Sequence, residues 1–165
     1  MRIKVNSHQL KVMSFIPAWL YFLIGGLAIV DRTLKLWTIS LPDFGGFFVS
    51  DFFGIRLFEN HDAIFGWPKV SPFFEIVVII IGVVLVGAAI SAWRKKENLL
   101  FLGLILILLG GMSNFSDRLL YGFVIDMIHF GPSVWNLADT MIGAGFVVAA
   151  ISILRKSDRV VLFKP

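Results

Sequence analysis

Four long apolar stretches constrain what this chain can fold into. They cover about 16–37, 73–93, 99–116 and 137–154 of its 165 residues. Because a bilayer core needs about 20 helical residues, the second and fourth stretches are long enough to cross it. The third is wholly apolar only from Leu99 to Met112, and it completes a span only with polar residues such as Ser113 and Asn114. The sequence therefore predicts an all-α membrane protein with four transmembrane helices, in a single domain over 1–165.

The composition supports lipid as the solvent. The chain is 58% hydrophobic and 16% charged, which is more apolar than a soluble domain of this length needs. It has no cysteine, so disulfides, thiolate catalysis and thiolate metal sites are excluded. His61 and His129 are too isolated in the sequence to indicate a metal site. We therefore expect no metal, no cofactor and no nucleic-acid partner.

The positive charges predict the orientation. They cluster before the first apolar stretch, between the second and third, and after the fourth: Arg2, Lys4, Lys11, Arg94, Lys95, Lys96, Arg155, Lys156, Arg159 and Lys164. Since cytoplasmic loops carry the excess of Lys and Arg, both termini are predicted to be cytoplasmic. Segments 38–72 and 117–136 are then extracytoplasmic. Basic residues before an apolar run also suit a signal peptide, but we find no small-x-small cleavage site and expect a retained anchor.

The first external segment has the pattern of a small sheet. Turn signals at Gly45-Gly46, Asp51 and Gly54 bound short apolar runs at 47–49 and 55–58, which predict two strands. Its phenylalanines suit a sheet that lies on the membrane surface. The sequence thus predicts a small extracytoplasmic β-sheet between helices 1 and 2. Helix 2 is expected to begin with Ser71 as N-cap, Pro72 at the first helical position and Glu75 in the first turn.

Two carboxylates are the strongest candidates for chemistry. Asp126 interrupts an apolar run, and Asp139 lies at the outer end of helix 4, so both belong to the same membrane face. Two carboxylates brought together can share one proton, which allows one to activate water and the other to polarise a carbonyl. Structural alternatives stay open from spacing alone. Asn136 and Asp139 have the spacing of a helix capping box, and Asp126 suits a turn in an irregular loop.

Other polar residues lie at helix ends on the same face. Asn114, Asp117 and Arg118 follow the apolar part of helix 3, where polar groups are costly unless they face the bundle or a wet cleft. The alternative is an ordinary helix end with Arg118 reaching to the interface. Asp31 and Lys35 form an i,i+4 pair near the end of helix 1, which we interpret as structural.

Four motifs in order carry a family resemblance. Asp31 to Lys35 ends the first helix, Asn60 to Gly66 follows in the external segment, Asn114 to Arg118 leads on to Asp126, and Asn136 to Asp139 opens the fourth helix. On these motifs the sequence resembles lipoprotein signal peptidase, also called signal peptidase II, over nearly its whole length.

The resemblance implies an aspartic endopeptidase of the bacterial inner membrane. Such enzymes remove signal peptides from prolipoproteins by cutting before a diacylglyceryl-modified cysteine. It implies that Asp126 and Asp139 are the catalytic dyad. The other implied site residues hold the substrate or the dyad (Asn60, Asn114, Arg118 and Asn136) or support them (Asp31, Lys35 and Asp117). The segment between helices 1 and 2 would be a cradle for the substrate, membrane lipid would be a partner, and the enzyme is expected to be a monomer.

Two departures and two alternatives accompany this interpretation. Asp62 stands where the family usually has glycine, and Asp126 and Asp139 are only thirteen positions apart, which predicts a short loop over the site. A proton-coupled carrier would use Asp31, Asp126 and Asp139 as a relay, but no internal repeat supports it. A catalytically inactive relative that binds lipoproteins is the second alternative.

Overall fold

The described part of the chain folds into four helices and a four-stranded sheet. The computed structural model describes residues 16–42, 46–50, 52–61 and 73–162, with the backbone alone for 157–162. In chain order the elements are α1 (Ala18–Ser40), β1 (Gly46–Ser50), β2 (Phe53–Asn60), α2 (Phe73–Arg94), α3 (Asn98–Tyr121), β3 (Val124–Phe130), β4 (Ser133–Trp135) and α4 (Leu137–Leu162). The prediction of a mostly helical chain with a small β-sheet is confirmed, and the strand pairs are antiparallel.

Helices α3 and α4 pack closely because glycines lie between them. A Cβ built on Gly103 would lie 2.8 Å from the carbonyl oxygen of Gly145, and one on Gly145 would lie 2.6 Å from that of Gly103. Nearer the sheet, a Cβ on Gly110 would lie 2.5 Å from the carbonyl oxygen of Ala138. Gly145 is buried at this contact, whereas its neighbours Gly143 and Ala144 are exposed.

Helices α1 and α2 pack on different faces of α3. Ile24 of α1 is buried in a cluster with Leu102, Leu106 and Met141. Helix α2 packs on α3 near its C-terminal end, where Ala89 and its neighbours contact α3. Most of the apolar residues of α2 are exposed, as expected for a helix that faces lipid.

Within the described residues, three helices are long and apolar enough to cross a membrane: Phe73–Arg94, Asn98–Tyr121 and Leu137–Lys156. The first helix differs because its second half carries Asp31, Arg32 and Lys35. Its crossing of the membrane, with the orientation of the termini, stays a prediction.

The sheet combines strands from both external segments. Its order is β1-β2-β3-β4, and each neighbouring pair is antiparallel. The sequence predicted β1 and β2 but not β3 and β4, so placing the sheet between helices 1 and 2 described only half of it. Strands β3 and β4 are joined by the two-residue turn Gly131-Pro132, in which Gly131 has φ 56°. This hairpin fits within the short connection between Asp126 and Asp139.

Several predictions concern positions outside the described residues. They include the N-terminal Arg2, Lys4 and Lys11, the turn residues Gly45 and Asp51, the atypical Asp62, the cap residues Ser71 and Pro72, and the terminal Lys164.

Candidate active site

Asp126 lies in the middle of strand β3 and is 1% exposed. The alternative that placed it in an irregular loop is therefore wrong. Strand β2 pairs with β3 so that Phe58 is opposite Asp126 and Asn60 is opposite Val124. Asn60 and Asp126 are thus diagonal neighbours on one face of the sheet. This arrangement lets Asn60 Nδ2 donate a hydrogen bond to Asp126 Oδ2 at 2.8 Å.

Asp139 lies in the first turn of α4, where it completes a capping box. Its backbone N–H donates to Asn136 Oδ1 at 2.9 Å, and the backbone N–H of Asn136 donates to Asp139 Oδ2 at 3.2 Å. The capping box that the spacing of Asn136 and Asp139 predicted is therefore present in the structure. Only Oδ2 takes part in the capping box. The second oxygen, Oδ1, accepts a hydrogen bond from Asn114 Nδ2 of α3 at 2.7 Å.

Asn136 joins the two candidate carboxylates. While its backbone N–H binds Asp139, its side-chain Nδ2 donates to Asp126 Oδ1 at 2.6 Å. The same Nδ2 contacts Asn114 Oδ1 at 3.1 Å. Asn136 is fully buried, so these hydrogen bonds form away from water. They fix the positions of both carboxylates relative to the same residue. The sheet and the start of α4 thereby bring together residues that the sequence had predicted to form one site.

Burial dominates the electrostatics of Asp126. The pKa of this carboxyl is raised from 3.8 to about 6, chiefly by burial and to a smaller extent by the charge of Asp139. The hydrogen bonds from Asn60 and Asn136 and the charge of Lys35 act in the opposite direction. Desolvation penalises the ionised form of a carboxyl, and these donors offset the penalty only in part. Asp126 therefore holds a proton more readily than an exposed aspartate does.

A buried ionic cluster lies behind Asn114. Lys35 Nζ is 2.7 Å from Asp117 Oδ2 and 3.2 Å from Asp31 Oδ2. Arg32 binds the other oxygen of Asp117 at 2.8 Å, and the Ser113 hydroxyl donates to Asp31. Asp31 Oδ1 also accepts the backbone N–H of Ala138 at 2.9 Å, in the first turn of α4. The predicted ion pair between Asp31 and Lys35 is therefore present, and its contacts join α1 to α3 and to the start of α4.

Arg118 lies one residue beyond this cluster in the last turn of α3. Its guanidinium carbon is 5.3 Å from the centre of the Phe74 ring of α2, a cation–π geometry. The charges of Asp126 and Asp139 both act on it. Helix α3 ends three residues later at Tyr121, and the next residue, Gly122, has φ 83° and an N–H that donates to the Arg118 carbonyl at 3.0 Å.

Sequence reasoning did not single out Arg32 as a member of the ionic cluster. Its guanidinium donates to Asp117 and to the backbone carbonyl of Ser113 at 3.1 Å. A signal was available, because Ser113, Asn114 and Asp117 have helical i, i+1 and i+4 spacing. That spacing puts acceptors for a cation on one face of α3. Within the part of the chain that is described, every buried side-chain nitrogen or oxygen has a hydrogen-bond partner.

Comparison with known proteins agrees with this architecture. The model of the family described as signal peptidase (SPase) II matches residues 23–155. The chain belongs to the signal peptidase II family. Membership implies a membrane peptidase, as the motifs predicted.

Individual relatives cover most of the chain. It is 31% identical to the lipoprotein signal peptidase of Latilactobacillus sakei over 143 residues, which are 83% of this chain and 95% of that protein. It is 31% identical to the lipoprotein signal peptidase of Allorhizobium ampelinum, over 86% of this chain and 92% of the relative. A solved bacterial membrane enzyme superimposes with a TM-score of 0.69 at 20% identity, over 88% of this chain and 93% of that one. At this identity the likeness shows the fold alone.

Proposed function

We propose that this chain is an aspartic endopeptidase that removes signal peptides from diacylglyceryl-modified prolipoproteins, cutting just before the lipidated cysteine. Asp126 and Asp139 form its catalytic dyad. Both relatives described above are named lipoprotein signal peptidases, which supports this substrate class.

The observation that carries the proposal is the bridge through Asn136. One residue donates from its side chain to Asp126 Oδ1 at 2.6 Å and from its backbone to Asp139 Oδ2 at 3.2 Å. A capping box alone would need Asp139 and not Asp126. A buried strand alone would favour an apolar residue at 126, because an unpaired buried carboxyl is costly. An amide bridge between two carboxyls is expected where the pair acts together.

The raised pKa of Asp126 suggests how the dyad divides its work. Because burial raises the pKa of Asp126, this carboxyl is assigned the shared proton, and Asp139, in the first turn of α4, is assigned the role of general base. The ionised carboxylate takes a proton from water as the water oxygen attacks the scissile carbonyl carbon. The protonated carboxyl gives its proton to the carbonyl oxygen, which yields a neutral tetrahedral intermediate.

Collapse of this intermediate completes the reaction. The carboxyl that gained the water proton passes it to the leaving nitrogen as the C–N bond breaks. The other carboxylate recovers a proton from a hydroxyl of the intermediate as the new carboxyl group forms. The products are a signal peptide with a free carboxyl end and a lipidated cysteine with a free amine. One proton remains on the dyad, so the cycle closes without net change.

The same proposal places the dyad at the extracytoplasmic edge of the bilayer, with both termini cytoplasmic. The sheet lies at the end of the bundle where α1 and α3 end and α4 begins. The opposite end carries the exposed residues Arg94, Lys95 and Lys96, and Glu97 there pairs with Lys156 at 2.6 Å. Positive charge at that end supports a cytoplasmic assignment.

Cleavage of a diacylated prolipoprotein by the purified protein tests the proposal. We expect wild-type protein to release the signal peptide, and Asp126→Asn and Asp139→Asn each to lose at least about a thousandfold in kcat, as removal of a general acid or base commonly does. Full activity in either variant would remove that residue from the dyad. An inactive wild-type protein that still binds the substrate would instead identify a non-catalytic relative.

Glu59→Gln is the matched control. Glu59 is an exposed carboxylate on β2, one position from Asn60, and its contact is with His61 at 3.3 Å. The same loss of one negative charge near the site should leave cleavage unchanged. A prolipoprotein without the diacylglyceryl group serves as the substrate control, and equal cleavage of both substrates would contradict the proposed lipid requirement.

A further inference from the structure

Lys35 is the one cation described in the ionic cluster that contacts the amide network of the dyad. Its side chain is 0% exposed. Its ammonium lies against Asp117 and Asp31, and it also donates to Asn114 Oδ1 at 2.8 Å and to Ser113 Oγ at 3.2 Å. An ammonium has three donors and no acceptor. Every atom that it contacts must therefore present an oxygen lone pair.

Stability does not by itself explain a buried ammonium here. Arg32 and Lys35 balance Asp31 and Asp117, so the cluster is neutral as a whole. Even neutral buried ion clusters contribute little net stability, because desolvation offsets most of the attraction. Packed apolar residues at these positions would hold α1 against α3 at least as well. The position of the ammonium next to Asn114 points to a function in the site.

The contact with Asn114 determines which way its amide faces. Because Lys35 can only donate, Asn114 must turn its carbonyl oxygen toward the ammonium, and its NH₂ group then faces Asp139. That NH₂ group donates to Asp139 Oδ1 at 2.7 Å. With the amide reversed, its carbonyl oxygen would oppose a carboxylate oxygen. Asn136 Nδ2 supports the same orientation from 3.1 Å, so loss of Lys35 should weaken the arrangement without abolishing it.

We propose that Lys35 is a positioning residue of the dyad: it fixes the Asn114 amide as a donor to Asp139 and supplies the buried positive charge that stabilises the ionised dyad. The inference rests on the proposed function of Asp126 and Asp139. The groups that act on Asp126 are Asn60 from β2, Asn136 before α4, Asp139 from α4 and Lys35 from α1. Arg118 of α3 also interacts electrostatically with Asp126 and Asp139. Among these groups, Lys35 combines a positive charge with a direct contact to Asn114.

Paired variants separate this role from a general charge effect. Lys35→Met and Arg32→Met each remove one positive charge from the cluster, and both residues bind Asp117, but only Lys35 contacts Asn114. We expect Lys35→Met to lower kcat by about 10- to 100-fold with KM changed less than about threefold, since a small misplacement at the reacting atoms has effects of this size. Arg32→Met should stay within about threefold of wild type. Equal losses in the two variants would overturn the proposal.

The double variant Lys35→Met/Asp117→Asn controls for folding. It restores the neutrality of the cluster, so the protein should regain the wild-type Tm while its kcat stays low. Recovery of kcat together with Tm would show that Lys35 is merely structural and would refute its positioning role.

A readout without substrate separates this inference from the proposed function. The infrared band of the protonated Asp126 carboxyl, assigned by its loss in Asp126→Asn, can be titrated in wild type and in Lys35→Met. We expect the titration to move to higher pH in Lys35→Met, because the ionised dyad has lost a buried cation. This result holds even if the wild-type protein cleaves no prolipoprotein. An unchanged titration would overturn the role of Lys35 whatever the activity.

Discussion

Replacing Asp126 by Asn should remove a pH-dependent part of the stability of the fold. In the folded protein the pKa of Asp126 is raised from 3.8 to about 6, so the folded state binds the proton more tightly than the unfolded chain does. Below about pH 4 both states are protonated. As the pH rises from 4 to above 6, the unfolded chain ionises first, and the free energy of unfolding falls.

The expected size follows from the shift. A shift of roughly 2 pH units at about 1.4 kcal/mol per unit gives about 3 kcal/mol between pH 4 and pH 8. For a chain of this length that corresponds to a Tm decrease of about 6–12 °C. Asp126→Asn has no charge to desolvate, so it should lack this decrease. Its amide places an NH₂ group opposite one of the donors Asn60 and Asn136, which lowers its stability by about 1–3 kcal/mol at every pH without changing the slope.

The assay is thermal unfolding in detergent at pH 4 to 8 for wild type, Asp126→Asn and Glu59→Gln. The difference between wild type and Asp126→Asn isolates one carboxyl from all other titrating groups. Glu59→Gln, which alters an exposed acid on the neighbouring strand, should follow the wild-type curve. Parallel curves for wild type and Asp126→Asn would refute the claim that burial of this carboxyl opposes its ionisation.

Two further substitutions test the geometry around the dyad. Gly110→Ala should lower stability by about 1–3 kcal/mol and cleavage at least about tenfold, because its Cβ would lie 2.5 Å from the Ala138 carbonyl oxygen and push the start of α4 away. Gly111→Ala has nothing within 4 Å of its Cβ and should behave as wild type in the same cleavage and Tm measurements; equal effects of the two would contradict the close approach. Asn60→Ala removes the donor to Asp126 Oδ2, so the upper apparent pKa of the pH–rate profile should rise, and an unmoved profile would show that this hydrogen bond does not act on the dyad.

Periodicity and motif spacing predicted the helices better than the sheet. Long apolar runs determine where helices lie, because each run must bury or expose a whole face. The first two strands were recognised because turn residues lie on both sides of each short run. Strand β3 was missed because Val124 to Met127 are all buried, and a short continuous apolar run does not distinguish a strand from a loop or helix. The Gly131-Pro132 turn was the available sign of the hairpin.

The candidate residues were predicted as a set, but their connections were not. Spacing along one helix predicts neighbours such as Asp31 and Lys35, whereas contacts between elements depend on crossing geometry that one sequence does not contain. Asn136 illustrates the limit. Its spacing to Asp139 predicted the capping box, which the structure contains. Its side-chain bond to Asp126 depends on β3 running past the start of α4, and nothing local in the sequence indicates that approach.

The two acid pairs of this site are held by different chemistry, and that difference bears on function. Asp31 and Asp117 contact the cations Lys35 and Arg32 directly. The oxygens of the dyad accept hydrogen bonds from neutral donors instead. Asn60 and Asn136 bind Asp126, while Asn114 and a backbone N–H bind Asp139.

Neutral donors orient a carboxyl without fixing its charge. An amide hydrogen bond favours the ionised form, but less strongly than an adjacent cation does. Burial can then raise the pKa of Asp126 to about 6, where one proton can reside on the pair and still be given up. If a cation contacted the dyad directly, both acids would stay ionised and neither could protonate a carbonyl. In the proposed dyad, the position of Lys35 one amide away, behind Asn114, would keep positive charge close enough to stabilise the ionised state and far enough to leave the shared proton in place.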